Sequence, residues 1–227
     1  MRTIISLLVL LTGCATVPDA PGPTRTVESF PEATRGIAIP ADEDGTWTLD
    51  QLLREYEQAT DQRFLVDDDT RRLLQRSKMP PLQLLEIPAE QVHSVVETIL
   101  VQEGFVFAVV HAAHPRLVSV KSRNSSARYN PISKAHYVPV EELEEWGKHP
   151  AYLIHTVLSL DAIDVRTLTN SMRAMITDSN MQSIVPAGSA KSVMLTGTGP
   201  QVLRLVRMLK DVDETERSRL NATRSAE

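Results

Sequence analysis

Apolar residues recur in this 227-residue chain in short blocks whose spacing alternates between that of a strand and that of a helix. A period of two indicates a half-buried strand, whereas apolar residues at positions i, i+3, i+4 and i+7 indicate an amphipathic helix. The first half contains strand-like blocks at 63–66, 82–87, 105–110 and 117–120 and helix-like blocks at 49–59, 69–76 and 92–100. This alternation predicts a compact mixed module over residues 46–122.

A second, shorter alternation follows over residues 151–213. A strand at 152–158 precedes a helix that Asp164 can cap, and a hairpin around 186–189 leads to a helix with Pro200 in its first turn. The predicted order is β-α-β-β-α, which is also the topology of KH modules. The fold class predicted for the chain is therefore α+β, with two small mixed modules.

The N-terminus has the pattern of an export signal. Arg2 precedes the apolar run 3–11, which is shorter than the roughly 20 residues of a membrane-spanning helix and has the length of a signal-peptide core. The next residues, Leu11-Thr12-Gly13-Cys14, resemble the lipobox of bacterial lipoproteins. That resemblance implies cleavage after residue 13, followed by lipidation of the Cys14 thiol and of the new amino group.

Two further observations bear on the lipid anchor. Cys14 is the only cysteine of the chain, so no intramolecular disulfide can form, and an unmodified thiol would be exposed to an oxidising compartment. Ala15 stands where such lipoproteins carry an aspartate when they remain at the inner membrane, so the resemblance favours the outer membrane. The alternative is an ordinary secretory peptide with an incidental cysteine.

Three segments lack apolar periodicity and are predicted to be linkers or tails. Residues 14–45 are rich in Pro, Thr and Gly, which indicates a flexible tether behind the signal peptide of residues 1–13. Residues 123–150 are predicted to form a polar connector between the modules. Residues 214–227 are predicted to be a disordered tail.

Charge argues against nucleic acid as a partner. Removal of the signal peptide takes away Arg2 as its one charged residue, so the net charge moves from −5 to −6. Affinity for nucleic acid depends on neutralising phosphates with basic residues, which an acidic chain is poorly suited to do. KH modules clamp phosphates with a Gly-x-x-Gly loop, and the corresponding loop here, 177–181, contains no glycine and includes Asp178.

The titratable residues form no recognisable catalytic, cofactor-binding or metal-binding pattern in the sequence. His111 and His114 are spaced like a metal pair, but they flank a predicted turn beside Pro115 with no cysteine or carboxylate nearby, which favours a solvated loop. His93 and His155 stand singly on an apolar helix and strand and are predicted to be structural. The remaining two histidines lie in the connector, at His136 and His149. We therefore predict no catalytic residue, no cofactor and no metal site.

The order of apolar motifs resembles that of secretin periplasmic domains. Residues 46–122 are similar to the short N-terminal domain shared by secretins and TonB-dependent transducers, through Leu49…Leu52-Leu53, Phe64-Leu65-Val66, Leu82-Gln83-Leu84, Ile87-Pro88-Ala89-Glu90-Gln91-Val92 and Gly104-Phe105-Val106-Phe107. Residues 151–213 are similar to the next secretin module, through Leu158-Ser159-Leu160-Asp161-Ala162-Ile163-Asp164, Ser192-Val193-Met194-Leu195-Thr196-Gly197 and Val212-Asp213.

This resemblance implies a non-enzymatic interaction module of the periplasm, held at the outer membrane through Cys14. The implied partners are a secretin or other secretion-system envelope proteins, of the type II secretion or type IV pilus-like kind, and possible further copies of the chain in a ring. We expect that the chain is not itself the outer-membrane pore, because the barrel-forming secretin domain is not among its residues. Two alternatives stay open, namely an independent envelope adaptor or signalling receptor with the same fold, and a lipoprotein enzyme with an unrecognised site.

Overall fold

The structure is a computed structural model that describes residues 30–40, 47–79, 85–113, 115–123, 131–172, 176, 178–179, 181–188 and 191–225. The predicted signal peptide, the lipobox Leu11-Thr12-Gly13-Cys14 and His114 lie outside the described residues. The helices and strands form two modules in succession, and the predicted α+β class is confirmed. None of the described helices is both long enough and apolar enough to span a membrane.

The first module packs three helices against a three-stranded sheet. Its elements are β1 (Ile37–Ile39), α1 (Leu49–Thr60), β2 (Arg63–Val66), α2 (Asp68–Arg76), β3 (Leu85–Ile87), α3 (Val92–Gln102), β4 (Phe105–His111) and β5 (Leu117–Ser122). The sheet order is β2-β5-β4, with β2 parallel and β4 antiparallel to the central β5. The two short strands β1 and β3 pair antiparallel in a separate ribbon.

The second module contains a four-stranded sheet. Its elements are β6 (His136–Tyr137), α4 (Leu143–Trp146), β7 (Leu153–Ser159), α5 (Val165–Met172), β8 (Ser183–Pro186), β9 (Ser192–Thr198) and α6 (Gly199–Arg224). The sheet order is β6-β7-β9-β8, in which β6 runs parallel to β7 and the other pairs are antiparallel. The predicted β-α-β-β-α order is therefore confirmed as β7-α5-β8-β9-α6.

Local capping chemistry fixes where the helices begin. Thr48 caps α1 in a capping box, in which the Thr48 N–H donates to Gln51 Oε1 at 2.9 Å and the Gln51 N–H donates back to Thr48 Oγ1 at 3.4 Å. The Asp67 carboxylate caps α2 by accepting the Thr70 N–H at 2.8 Å. Asp164 caps α5, as predicted, by accepting the N–H groups of the second and third residues beyond it.

The predicted tether, residues 14–45, is wrong for its last part. Ile37 and Ile39 are buried, and the strand that they begin and end, β1, pairs with β3. Gly36 permits this pairing, since a Cβ atom at that position would lie 2.6 Å from the Ile87 carbonyl oxygen. The Pro- and Thr-rich composition concealed a three-residue alternation too short to register as a strand.

The predicted connector and tail also contain regular structure. Within residues 123–150, the structure places β6, α4 and the buried side chains of Val138, Leu143 and Trp146. The strand β6, at His136–Tyr137, lies inside the segment that the sequence predicts to be a polar connector. Beyond Asp213, α6 continues to Arg224 as an exposed helix, which ion pairs such as Arg219–Glu216 stabilise locally.

Candidate functional site

The two modules meet where β4, an edge strand of the first sheet, lies beside the start of β7. The Phe107 N–H donates to the Ala151 carbonyl oxygen at 2.8 Å, and Phe107 forms a parallel bridge with Tyr152. The apolar core runs through both modules without interruption, and a second small cluster joins Val106 of β4 to Leu153 of β7. The modules are therefore packed together through a shared core. We call the contact region around this edge the junction.

Aromatic rings close the junction around Phe30, a residue of the predicted tether. The Phe30 ring stacks on the His149 imidazole with 3.4 Å between centroids and 17° between planes. It also makes edge contacts with Trp146 at 4.8 Å and with Tyr152 at 5.1 Å. The buried guanidinium of Arg116 lies 4.1 Å from the Phe30 centroid, a cation–π distance. Phe30 thus ties the N-terminal segment to both modules.

A fully buried carboxylate, that of Glu97, lies at the centre of the junction. Its Oε1 atom accepts hydrogen bonds from the Tyr56 hydroxyl at 2.7 Å and lies 2.9 Å from His149 Nδ1. Its Oε2 atom accepts the Ala151 N–H at 3.2 Å. Glu97 comes from α3 of the first module, whereas His149 and Ala151 precede β7 of the second. One carboxylate therefore binds groups of both modules.

His93 completes this polar cluster. It lies one helical turn before Glu97 on α3, and its Nδ1 atom is 3.6 Å from Glu97 Oε1 and 2.7 Å from the Tyr56 oxygen. The Pro31 carbonyl oxygen lies 2.8 Å from His93 Nε2 and can only accept, so Nε2 carries a hydrogen. Tyr56 has one hydroxyl hydrogen for two neighbours at 2.7 Å, so the protons of the cluster are shared among its members.

Burial and charge act in opposite directions in this cluster. Burial alone raises the pKa of the Glu97 carboxyl, but the charge of His149 and the hydrogen bonds from His149, His93 and Tyr56 outweigh it, and the pKa lies below its ordinary value. Burial, together with the Glu97 charge, raises the pKa of the Tyr56 hydroxyl well above its usual range. The same two causes raise the pKa of the Tyr152 hydroxyl, which donates to Gln62 Oε1. The cluster therefore contains an ionised carboxylate and neutral phenols.

Close backbone packing positions His149. The short helix α4 ends at Trp146, and the following turn lies directly against the start of α6. A Cβ atom at Gly199 would lie 2.0 Å from the Trp146 carbonyl oxygen and 3.0 Å from that of His149. Gly199 is therefore needed for the contact that places the His149 ring over Glu97.

The histidines singled out in the sequence have different environments. His111 is exposed at the end of β4, and His114 lies outside the described residues. His155 Nδ1 hydrogen-bonds the Ala135 carbonyl oxygen at 3.1 Å, which fits the predicted structural role. His136 stacks on Trp146. The sequence interpretation missed that His93 and His149 converge on one carboxylate, that of Glu97.

 The i, i+4 spacing of His93 and Glu97 on a predicted helix was a usable signal, whereas the 52-residue separation of Glu97 and His149 gave none.

A second feature is a surface groove of about 620 Å³ between α5 and α6. Its apolar lining includes Ile163, Leu168 and Val212, and Val212 is 45% exposed. Acidic side chains also line it, at Asp164, Asp211 and Glu216. The groove therefore combines an apolar surface with negative charge, which suits an apolar segment flanked by basic residues.

Comparison with family profiles and with curated proteins finds no match. Solved structures do match. A chain of the Klebsiella pneumoniae type II secretion system outer membrane complex, which comprises PulD, PulS and the PulC HR domain, superposes with a TM-score of 0.50 at 12% identity. The match covers 75% of this chain and 26% of that one. This chain has the fold of secretin N-terminal domains.

Two further matches concern domains of the same kind at lower TM-scores. The GspC–GspD complex of enterotoxigenic Escherichia coli matches with a TM-score of 0.27 at 13% identity, over 79% of this chain and 99% of that chain. The N-terminal domain of the secretin XcpQ from Pseudomonas aeruginosa matches with a TM-score of 0.25 at 11% identity, over 78% and 64%. The Klebsiella pneumoniae match, at a TM-score of 0.50, confirms the predicted resemblance to secretin N-terminal domains for the fold.

Proposed function

We propose that this chain is a lipid-anchored, non-enzymatic module of the bacterial envelope that binds a component of a secretin-type export system. The observation that carries the proposal is the secretin N-terminal fold, found behind a sequence that resembles a lipoprotein signal. Small mixed modules of this kind offer sheet edges and helix faces to partners. An anchor at Cys14 would hold the modules at the outer membrane and raise their effective concentration near a partner there.

The groove between α5 and α6 is the surface that we propose contacts the partner. Val212 lines it and is 45% exposed, so the free chain leaves apolar surface in water at this point. The acidic side chains around it favour a partner segment with apolar residues flanked by lysine or arginine.

Affinity purification of the tagged chain from gently solubilised envelopes, with mass spectrometry of the recovered proteins, tests the proposal. We expect a secretin, or another envelope protein of its export system, to co-purify with the wild-type chain. Val212→Glu should reduce the recovery, whereas Leu220→Glu, a similarly exposed position on the same helix, should preserve it. Repeated recovery of an unrelated envelope protein without any secretin-system component would overturn this proposal and favour the independent adaptor.

Fractionation tests the anchor separately. We expect the wild-type chain in the outer-membrane fraction and Cys14→Ser in the soluble periplasmic fraction, because Ser cannot form the thioether to the lipid. Ala15→Asp should shift the chain towards the inner membrane if sorting follows the lipoprotein pattern. A wild-type chain that stays soluble would contradict lipidation while leaving the proposed partner open to its own test.

A further inference from the structure

We propose that His93, Glu97 and His149 form a binding site for one Zn²⁺ ion, which would fasten the two modules to each other. The site has two imidazole nitrogens and one carboxylate oxygen, a donor set that Zn²⁺ accepts in proteins. His93 and Glu97 belong to the first module and His149 to the second, so a single ion would crosslink them. This inference does not depend on the proposed partner.

The ligand atoms have nearly the spacing that a tetrahedral ion requires. With metal–ligand bonds of about 2.0–2.2 Å, neighbouring ligand atoms of a tetrahedron are about 3.4 Å apart. Glu97 Oε1 lies 3.6 Å from His93 Nδ1 and 2.9 Å from His149 Nδ1, and all three atoms lie within 4.8 Å of one another. Side-chain shifts of less than about 1 Å would therefore bring the three ligand atoms around one ion. Such shifts are small compared with the displacement that a rotamer change produces.

The surrounding hydrogen bonds orient the ligands as metal sites require. A histidine that binds a metal usually donates its other ring N–H to a carbonyl or carboxylate, which fixes the tautomer. His93 Nε2 donates to the Pro31 carbonyl oxygen at 2.8 Å, so Nδ1 is the nitrogen that points at Glu97. The Tyr56 hydroxyl donates to the Glu97 carboxylate and would support it in the same way.

Charge also favours a cation at this point. The Glu97 carboxylate is fully buried, and its two oxygens accept hydrogen bonds from the Tyr56 hydroxyl and the Ala151 N–H. A buried charge is stable when a compensating charge or hydrogen bonds accompany it. An ion among the three ligand atoms would supply that charge, in place of the shared protons. The Tyr56 hydroxyl lies 2.7 Å from both His93 Nδ1 and Glu97 Oε1 and would cover one side of the ion.

Metal titration of the untagged, lipidated full chain in detergent, after removal of metals with a chelator, tests the site. We expect about one equivalent of Zn²⁺ per chain and a melting temperature that rises with free Zn²⁺, because the ion binds the folded state. Bound Co²⁺ should give the visible absorption of a tetrahedral site. Absence of stoichiometric Zn²⁺ and of any shift in melting temperature would overturn the proposal.

Three variants distinguish the junction from surface binding. His149→Gln should abolish the Co²⁺ absorption, and Tyr56→Phe should weaken Zn²⁺ binding about 10- to 100-fold, as loss of a supporting hydrogen bond does. His111→Gln removes an exposed histidine outside the junction and should change neither the Co²⁺ absorption nor the Zn²⁺ affinity. Binding that persists in His149→Gln and disappears in His111→Gln would assign the metal to the surface and overturn the proposal. Tyr56→Phe keeps the ring volume, so the test does not depend on His149→Gln folding.

Discussion

A carboxylate that is as fully buried as Glu97 is stable in a protein only when other groups replace the water it has lost. Three groups do so here, since Tyr56, His149 and the Ala151 N–H all contact its two oxygens. Because two of them belong to the second module, this carboxylate contributes to the association of the modules as well as to the packing of α3.

Replacement of Glu97 by alanine should therefore be strongly destabilising. It removes one partner of a buried, hydrogen-bonded charge cluster, and changes of this kind cost about 3–5 kcal/mol in free energy of unfolding. Glu103→Ala, at an exposed position just beyond the same helix, should stay within about 0.5 kcal/mol of the wild type. Urea denaturation followed by circular dichroism measures both. A loss of less than about 1 kcal/mol in Glu97→Ala would contradict the assigned role.

Asp67 gives a prediction about pH. Burial raises its pKa, but the hydrogen bonds from Lys121 and Thr70 together outweigh burial and hold the pKa at about 2. A folded-state pKa below the unfolded one means that the carboxylate stabilises the fold above about pH 4 and that this contribution is lost as the pH falls towards 2. Asp67→Asn keeps the helix cap but loses the ion pair, so it should cost less than about 1 kcal/mol at pH 7.

Urea denaturation of the wild type and of Asp67→Asn at several pH values tests this prediction. The difference in urea midpoint between wild type and Asp67→Asn should narrow steadily between pH 4 and pH 2.5, because the unfolded wild-type chain gains a proton on Asp67 in this range while the folded chain keeps it ionised. Asp68→Asn, on the neighbouring exposed residue, should show a smaller difference at pH 7. A difference that stays constant over this range would show that the Asp67 charge does not stabilise the fold.

At the scale of elements, Asp213 connects α6 to the start of α5. Its carboxylate accepts three backbone N–H groups, from Asp161 at 3.1 Å, Ala162 at 2.8 Å and Ile163 at 3.2 Å. Burial raises its pKa, but these bonds and the Arg217 charge outweigh burial and lower it. One side chain of α6 thus binds three successive backbone N–H groups of the loop before α5.

Asp213→Ala should cost about 2 kcal/mol in free energy of unfolding, the scale of hydrogen bonds to a charged group. Asp211→Ala, two residues earlier on the exposed face of the same helix, should cost less than about 0.5 kcal/mol. Amide hydrogen exchange gives a second measurement, since the N–H groups of Ala162 and Ile163 should lose protection in Asp213→Ala alone. Unchanged protection would contradict this role of Asp213.

The elements that sequence spacing predicts well are those with several apolar residues on one face. The long blocks of α1, α3 and α6 and the paired strands β4 and β5 all lie where the spacing placed them. Elements of two or three residues, such as β1 and β6, were missed or displaced because so few positions define no period. The contacts of the junction were beyond prediction for another reason, since they depend on how the two modules pack and not on any local pattern.

At the scale of the whole molecule, the junction makes the two modules one folding unit. The apolar core is continuous across it, and Phe30 contacts His149, Trp146 and Tyr152 from the N-terminal side. The sequence predicts a polar connector at this place. The structure instead buries the first residues of the second module against the first module. Separate unfolding of either module would expose part of this shared core.

We therefore expect the modules to unfold in one cooperative transition. The chain has two tryptophans, Trp47 in the first module and Trp146 at the junction, so Trp47→Phe leaves fluorescence that reports Trp146 alone. In that variant, the urea midpoint from fluorescence should equal the midpoint from far-ultraviolet circular dichroism, which reports the helices of both modules. Phe30→Ala opens a cavity in the shared core and should reduce the free energy of unfolding by about 3–5 kcal/mol. Both urea midpoints should therefore fall together. Two separate midpoints in the Trp47→Phe variant would show that the modules fold independently and that the junction contributes little to their stability.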